Sequence, residues 1–280
     1  MEKAIKRYFP IFVLPTMIAF TLGFIIPFVE GVYLSFCKFT TVNDAKFIGF
    51  ANYAKVFADE TFVHAFWYTA AFTVVSVILI NVLAFAVALL LTKGFKGTNI
   101  FRTVFFMPNL IGGIVLGYIW QLLLNGILMN FGRTLTYSST YGFWGLIILM
   151  CWQQIGYMMI IYIAGIQNIP GELIEAAEID GATKWQILKK VTIPMVMPSI
   201  TVCTFLTLTN SFKLFDQNLA LTNGEPSKMS EMLALNIFNT FYGRTGYEGV
   251  GQAKAVIFFI LVTVIALTQN YLTRRKEVQQ

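Results

Sequence analysis

Two apolar stretches of the chain carry polar side chains where a membrane segment normally carries none. Over 143–166 stand Trp152, Gln153, Gln154 and Tyr157; over 191–212 stand Thr204, Thr207, Thr209, Asn210 and Ser211. Asn81 and Gln121 mark two further stretches. An amide facing hydrocarbon forfeits hydrogen bonds at a cost of several kcal/mol. These groups must therefore face a neighbouring helix or an aqueous cavity. Interhelical bonding is the modest reading, at about 0.6 kcal/mol per pair. The convergence of many neutral donors and acceptors on two stretches favours a cavity. Amides, hydroxyls and aromatic faces suit a neutral, polyhydroxylated solute. They suit an ion or proton relay poorly, because those need carboxylates or arginine at membrane depth. Glu30, the one acid near a stretch, falls at an expected outer end.

The elements that hold these groups follow from composition. Of 280 residues, 57% are hydrophobic and 12% charged, and mean hydropathy is +0.69. A soluble domain averages about 25% charged residues. That contrast excludes a soluble enzyme, a disordered chain and a disulfide-framed module, and leaves an all-α polytopic membrane protein. The net charge of +6 does not imply nucleic acid, since excess Lys and Arg in membrane proteins sit on cytoplasmic loops. Cys37, Cys151 and Cys203 show no metal-ligand spacing and read as small apolar fillers. His64 has no sequence neighbour for acid–base or metal chemistry.

Charged residues punctuate the chain into six stretches near the roughly 20 residues a membrane helix needs: 8–29, 70–92, 104–125, 143–166, 191–212 and 255–273. They lack the alternation of barrel strands. The first is too long for a signal-peptide core and no small-residue cleavage site follows, so it reads as a retained helix. Twelve of the 20 Lys and Arg cluster in the N-terminus, 93–103, 166–191 and the C-terminus, which predicts both termini to be cytoplasmic. The Gly113–Gly117 spacing permits close helix approach.

The segment Pro170–Lys190 is the most specific in the chain. Pro170 suits a helix first turn, Glu172 and Glu175 favour its positive end, and Gly181 can stop it with positive φ. Thr183 and Gln186 form a capping-box pattern for a second short helix. The spacing predicts a helix–turn–helix on the cytoplasmic face, with Ala176 and Ala177 leaving a shallow surface for another protein.

The run Glu175-Ala176-Ala177-x-x-Asp180-Gly181-Ala182, followed by Pro194 and Pro198, resembles the EAA loop of permease subunits of bacterial ABC importers; Leu188 stands where that pattern usually has Phe. Phe47-Ile-Gly49-Phe-Ala-Asn52-Tyr53 is similar to the FVGLxNY segment of MalF-like subunits of carbohydrate importers. Phe101-Arg102-Thr103, Pro108, Trp120, Phe215-Asp216 and Thr222-Asn-Gly224-Glu-Pro226 match the same subunits, with Glu225 replacing a usual Gly. The resemblance implies a type I ABC importer permease fold of six transmembrane helices in a bacterial inner membrane. It divides the chain into a first helix and short external loop over 1–65, a permease core over 66–273 with the EAA loop at 166–191, and a tail over 274–280.

The resemblance also implies roles. Glu175, Ala176, Ala177, Asp180, Gly181, Ala182 and Leu188 would dock on an ATPase, and Gln153, Gln154, Tyr157, Thr207, Asn210, Ser211 and Leu214 would contact solute. The partners implied are a second, MalG-like permease, two copies of an ABC ATPase, an extracytoplasmic solute-binding protein, a carbohydrate and membrane lipid. No GxxxxGK[ST] phosphate loop occurs in the sequence, so no cofactor is expected on this chain, ATP and Mg belonging to the partner ATPase. The solute expected is a sugar or oligosaccharide; the alternatives are a polyol, a glycerol phosphate ester or a sugar acid.

Overall fold

The computed structural model describes residues 2–94 and 96–274. Most of the tail expected over 274–280, with Arg275 and Lys276, lies outside the described residues. Helix α1 (Glu2–Phe20) runs through a π turn (Thr21–Ile25) into α2 (Ile26–Leu34). Pro27 has no N–H to bond the carbonyl four residues back, and the widened turn sits where that bond is missing. Strands β1 (Cys37–Lys38) and β2 (Lys46–Phe47) pair antiparallel and lead to α3 (Ala51–Phe57) and α4 (Glu60–Leu91). There follow α5 (Thr98–Phe106), α6 (Gly113–Met129), α7 (Ser139–Gln167), α8 (Gly171–Ile179), α9 (Lys184–Ile187), α10 (Ile193–Met195), α11 (Met197–Phe212), α12 (Asp216–Leu221), α13 (Leu233–Gly243) and α14 (Glu248–Arg274).

Among the described residues, four helical stretches are long and apolar enough to cross a membrane: Ile11–Leu34, Glu60–Leu91, Ser139–Gln167 and Glu248–Arg274. The third and fifth expected spans are not straight. Thr98–Leu110 meets Gly113–Met129 at 103°, and Lys184–Met195 meets Met197–Phe212 at 69°; counting each bent pair once makes six spans. The first break follows a 3₁₀ turn carrying Pro108, after which Ile111 and Gly112 are extended. The second lies at Val196, between Pro194 and Pro198. Neither proline can donate to the helical ladder, so two bonds are lost within one turn. The 16 residues of α11 rise only about 24 Å, short of the roughly 30 Å hydrocarbon core. The residues after it, in α12, fold back against α6.

The chain divides into two compact units. One holds the residues up to Glu60 together with Ile237–Ile260; the other holds Thr61–Asn236 and the residues from Leu261 on. In the first, Asn52 is buried and its Nδ2 donates to the carbonyls of Ser35 (2.9 Å) and Cys37 (2.8 Å), while the Tyr53 and Ser35 hydroxyls bond at 2.7 Å. The Asn-Tyr pair thus fastens the β1–β2 hairpin. Lys254, expected at the edge of a span, is fully buried; its Nζ lies 2.7 Å from Asp59 and donates to Thr240 at 2.8 Å. In the second unit a core of Phe72, Ile80, Leu146, Leu149, Met158 and Tyr162 joins α4 to α7. Thr69 binds the Leu233 amide at 2.9 Å, and His64 bonds the Met229 carbonyl at 3.0 Å.

Candidate functional site

The polar groups of α7 and α11 come together around a cleft of about 210 Å³ lined by Met150, Gln154, Asn210, Lys213, Leu214 and Gln217. Asn210 Nδ2 reaches Gln154 Oε1 at 3.5 Å. Gln217 Nε2 donates to Gln153 Oε1 at 2.9 Å, and Gln153 Nε2 to the Ile111 carbonyl at 3.4 Å. Gln153 and Gln154 are only 6% and 8% exposed. The long Asn210–Gln154 contact leaves both amides able to bond hydroxyls, beside the aliphatic walls of Met150 and Leu214.

Of the seven solute contacts expected, Gln154, Asn210 and Leu214 line this cleft, and Gln153 stands one hydrogen bond behind it. Thr207 does not line it. Its hydroxyl donates to the Cys203 carbonyl at 2.8 Å and accepts from Asn81 at 3.4 Å, and Asn81 accepts from Tyr162 at 2.6 Å. That set is interhelical bonding. Ser211 is buried with its hydroxyl unpartnered, and Tyr157 is half-buried against the Phe106 ring.

Met150, Lys213 and Gln217 were not expected at the site. Lys213 reads in sequence as the outer boundary of a span, and Gln217 as a loop residue. Both reach the cleft because α12 folds back against α6. Gly113 and Gly117 make this possible: a Cβ on Gly113 would lie 2.7 Å from Asp216 Cβ, and one on Gly117 2.6 Å from Ala220 Cβ. Gln121, farther along α6, donates to the Leu221 carbonyl at 3.0 Å. The Gly113–Gly117 spacing was the signal that could have located the returning segment. Asn218 then holds the following loop, bonding the Ser230 carbonyl and the Met232 amide, each at 2.8 Å.

The loop at 170–191 is a second place of interest. Helix α8 ends in a paired closure: Gly181 N–H bonds the Glu178 carbonyl at 3.0 Å and Ala182 N–H the Ala177 carbonyl at 2.9 Å, with Gly181 at φ +74°. This left-handed closing residue satisfies carbonyls that the helix leaves open. Thr183 caps α9 through reciprocal bonds with Gln186. Lys189 and Lys190 lie past the end of α9, in a π turn (Leu188–Thr192) that continues to α10. Glu175, Ala176, Asp180 and Gly181 are exposed, and Ala177, Ala182 and Leu188 half-buried. Ile179 is 85% and Trp185 69% exposed, two large apolar side chains that the sequence reading did not single out.

Residues 80–278 match the family described as binding-protein-dependent transport system inner membrane component. The chain is 42% identical over 278 residues to the probable starch degradation products transport system permease protein of Thermoanaerobacterium thermosulfurigenes, covering 96% of this chain and 94% of that one. It is 28% identical to the multiple sugar-binding transport system permease protein of Streptococcus mutans serotype c, covering 99% of each. A crystal structure of a bacterial ABC transporter involved in the import of the acidic polysaccharide alginate contains a chain of the same fold, with TM-score 0.82, 23% identity and 98% of both chains covered. The fold is thus that of a type I ABC importer permease, and the chain belongs to the family of binding-protein-dependent transport system inner membrane components.

Proposed function

We propose that the cleft beside Gln154 carries a neutral sugar or oligosaccharide, and that the loop at 170–191 couples its passage to a separate ATPase. As a member of its family the chain is an integral subunit of the cytoplasmic membrane and not the subunit that hydrolyses ATP. The observation that carries the solute class is the lining itself. Three side-chain amides and the Lys213 ammonium stand with two aliphatic side chains and no carboxylate, a set that donates and accepts hydrogen bonds with hydroxyls while Met150 and Leu214 pack against the apolar face of a sugar ring. The names of the two relatives, for starch degradation products and for multiple sugars, agree with this reading.

The chain acts in the permease core over 66–273, beside a second, MalG-like permease. Two ATPase copies sit below and a solute-binding protein docks outside. Both termini and the 170–191 loop face the cytoplasm. Ile179 and Trp185 join Glu175, Ala176, Ala177, Asp180, Gly181, Ala182 and Leu188 as the docking surface. ATP-driven closure of the ATPases rocks the permeases as rigid bodies, exposing the cleft to each side in turn. ATP and Mg stay on the ATPase.

The test is ATPase activity of the purified complex in lipid, titrated with binding protein and a solute panel. Stimulation by a sugar or oligosaccharide, weakened in Gln154→Leu, is the expected result. A response confined to glycerol phosphate esters or sugar acids would overturn the solute class.

A further inference from the structure

A larger cavity lies away from the cleft, between the turn joining α4 to α5 and the end of α7. It has a volume of about 460 Å³, and its walls include Thr92, Asn99, Arg102 and Gln167. Arg102 Nε is buried with no hydrogen-bond partner, and one terminal nitrogen makes only a long contact to the Leu91 carbonyl at 3.5 Å. A guanidinium has five donors in a fixed fork, so this one retains most of its capacity. Lys93 and Lys96, both exposed, precede it in a segment over 93–103 that holds no Asp or Glu.

We propose that this cavity binds a phosphate group. The chemistry is specific in kind. The wall offers a planar cation able to grip two oxygens at once, with amides at Asn99 and Gln167 for the remaining oxygens, and no carboxylate to repel them. The phosphate comes either from an anionic phospholipid headgroup or from a phosphate ester in solution. Lysine-rich turns mark the cytoplasmic side, where both are present. Gln167 is the last residue of α7 and stands four positions before Gly171, where α8 begins. A bound phosphate would therefore tie the α4–α5 turn to the helix that carries the 170–191 loop.

The test uses the complete importer in nanodiscs of phosphatidylcholine alone or mixed equally with phosphatidylglycerol. Native mass spectrometry counts retained phosphatidylglycerol, and calorimetry follows inorganic phosphate added to the phosphatidylcholine discs. Wild type is expected to bind one of the two. Arg102→Gln should weaken binding about tenfold, as loss of a charged hydrogen bond implies; Lys93→Gln with Lys96→Gln should weaken it less and mainly at low salt. Asn99→Leu, which leaves Arg102 in place, serves if Arg102→Gln does not assemble. Phosphatidylglycerol retention lost in either single variant assigns the lipid source; phosphate binding lost in them assigns the soluble one. Equal retention by wild type and variants, with no binding of inorganic phosphate, would overturn the proposal. Neither readout involves solute transport, so it stands or falls separately from the sugar reading.

Discussion

The loop at 170–191 is fastened by bonds between residues at most five apart, such as Ala182 on Ala177 and Gln186 on Thr183. The cleft is fastened by Asn210 on Gln154 and Gln217 on Gln153, 56 and 64 positions apart. One region keeps its large apolar side chains in the open; the other buries its amides. A surface made locally can be altered without disturbing the bundle, whereas the cleft depends on every helix that packs behind it.

The sharpest way to break this contrast is Gly117→Leu. A side chain there collides with Ala220 and displaces α12, an overpacking worth about 3 kcal/mol. Solute-stimulated ATPase activity should fall about a hundredfold, while co-purification of the ATPase through the loop stays at wild-type level. Equal loss of both would show that the regions are not independent. Gln217→Leu is gentler. It leaves Gln153 Oε1 without its amide partner, at about 1–3 kcal/mol, and should raise the half-saturating solute concentration roughly tenfold in the same assay. An unchanged value would remove Gln217 from the site.

Gly181→Ala addresses the other side of the comparison. The left-handed conformation costs a residue with a Cβ about 1–2 kcal/mol. ATPase association should weaken several-fold, with the solute dependence of the remaining activity unchanged. The smallest effect lies outside both regions. Asp44 accepts from the amides of Thr40 and Thr41, each at 3.0 Å, and these bonds hold its carboxyl below the ordinary value. A group with a lowered folded pKa stabilises the fold above its unfolded pKa and loses that contribution as pH falls through the folded one. The turn over 40–44 should therefore loosen only in acid, seen as faster amide exchange at Thr40 and Thr41. Asp44→Asn should abolish that pH dependence.

Much of the loop was legible because its rules are short-range. Gly181, Thr183 and Gln186 do in the structure what their types and spacing predict. Ile179 and Trp185 escaped notice because exposure is not a local property; an apolar residue on a short helix reads the same whether covered or bare. The two breaks were half-legible. Pro108, Gly112, Pro194 and Pro198 were visible, but hydropathy runs across a bend as readily as along a straight helix. The polar residues of α7 and α11 were found as a set, yet Thr207 turned to Asn81 while Gln154 turned to the cleft. Side chains on one helix diverge by about 100° per residue, from 3.6 residues per turn, and sequence alone does not say which neighbour occupies each direction.

The sequence by itself determined a helical membrane protein and the two caps of the exposed loop, which depend on composition and on contacts within a turn, and its motifs carried the resemblance to the family. The return of α12 onto Gly113 and Gly117, the arrival of Lys213 and Gln217 at the cleft, the burial of Lys254 against Asp59 and the unpartnered Nε of Arg102 were decided by the tertiary structure. In each case residues distant along the chain must compete for the same space or the same hydrogen bond, and packing chooses among partners that local chemistry leaves equivalent.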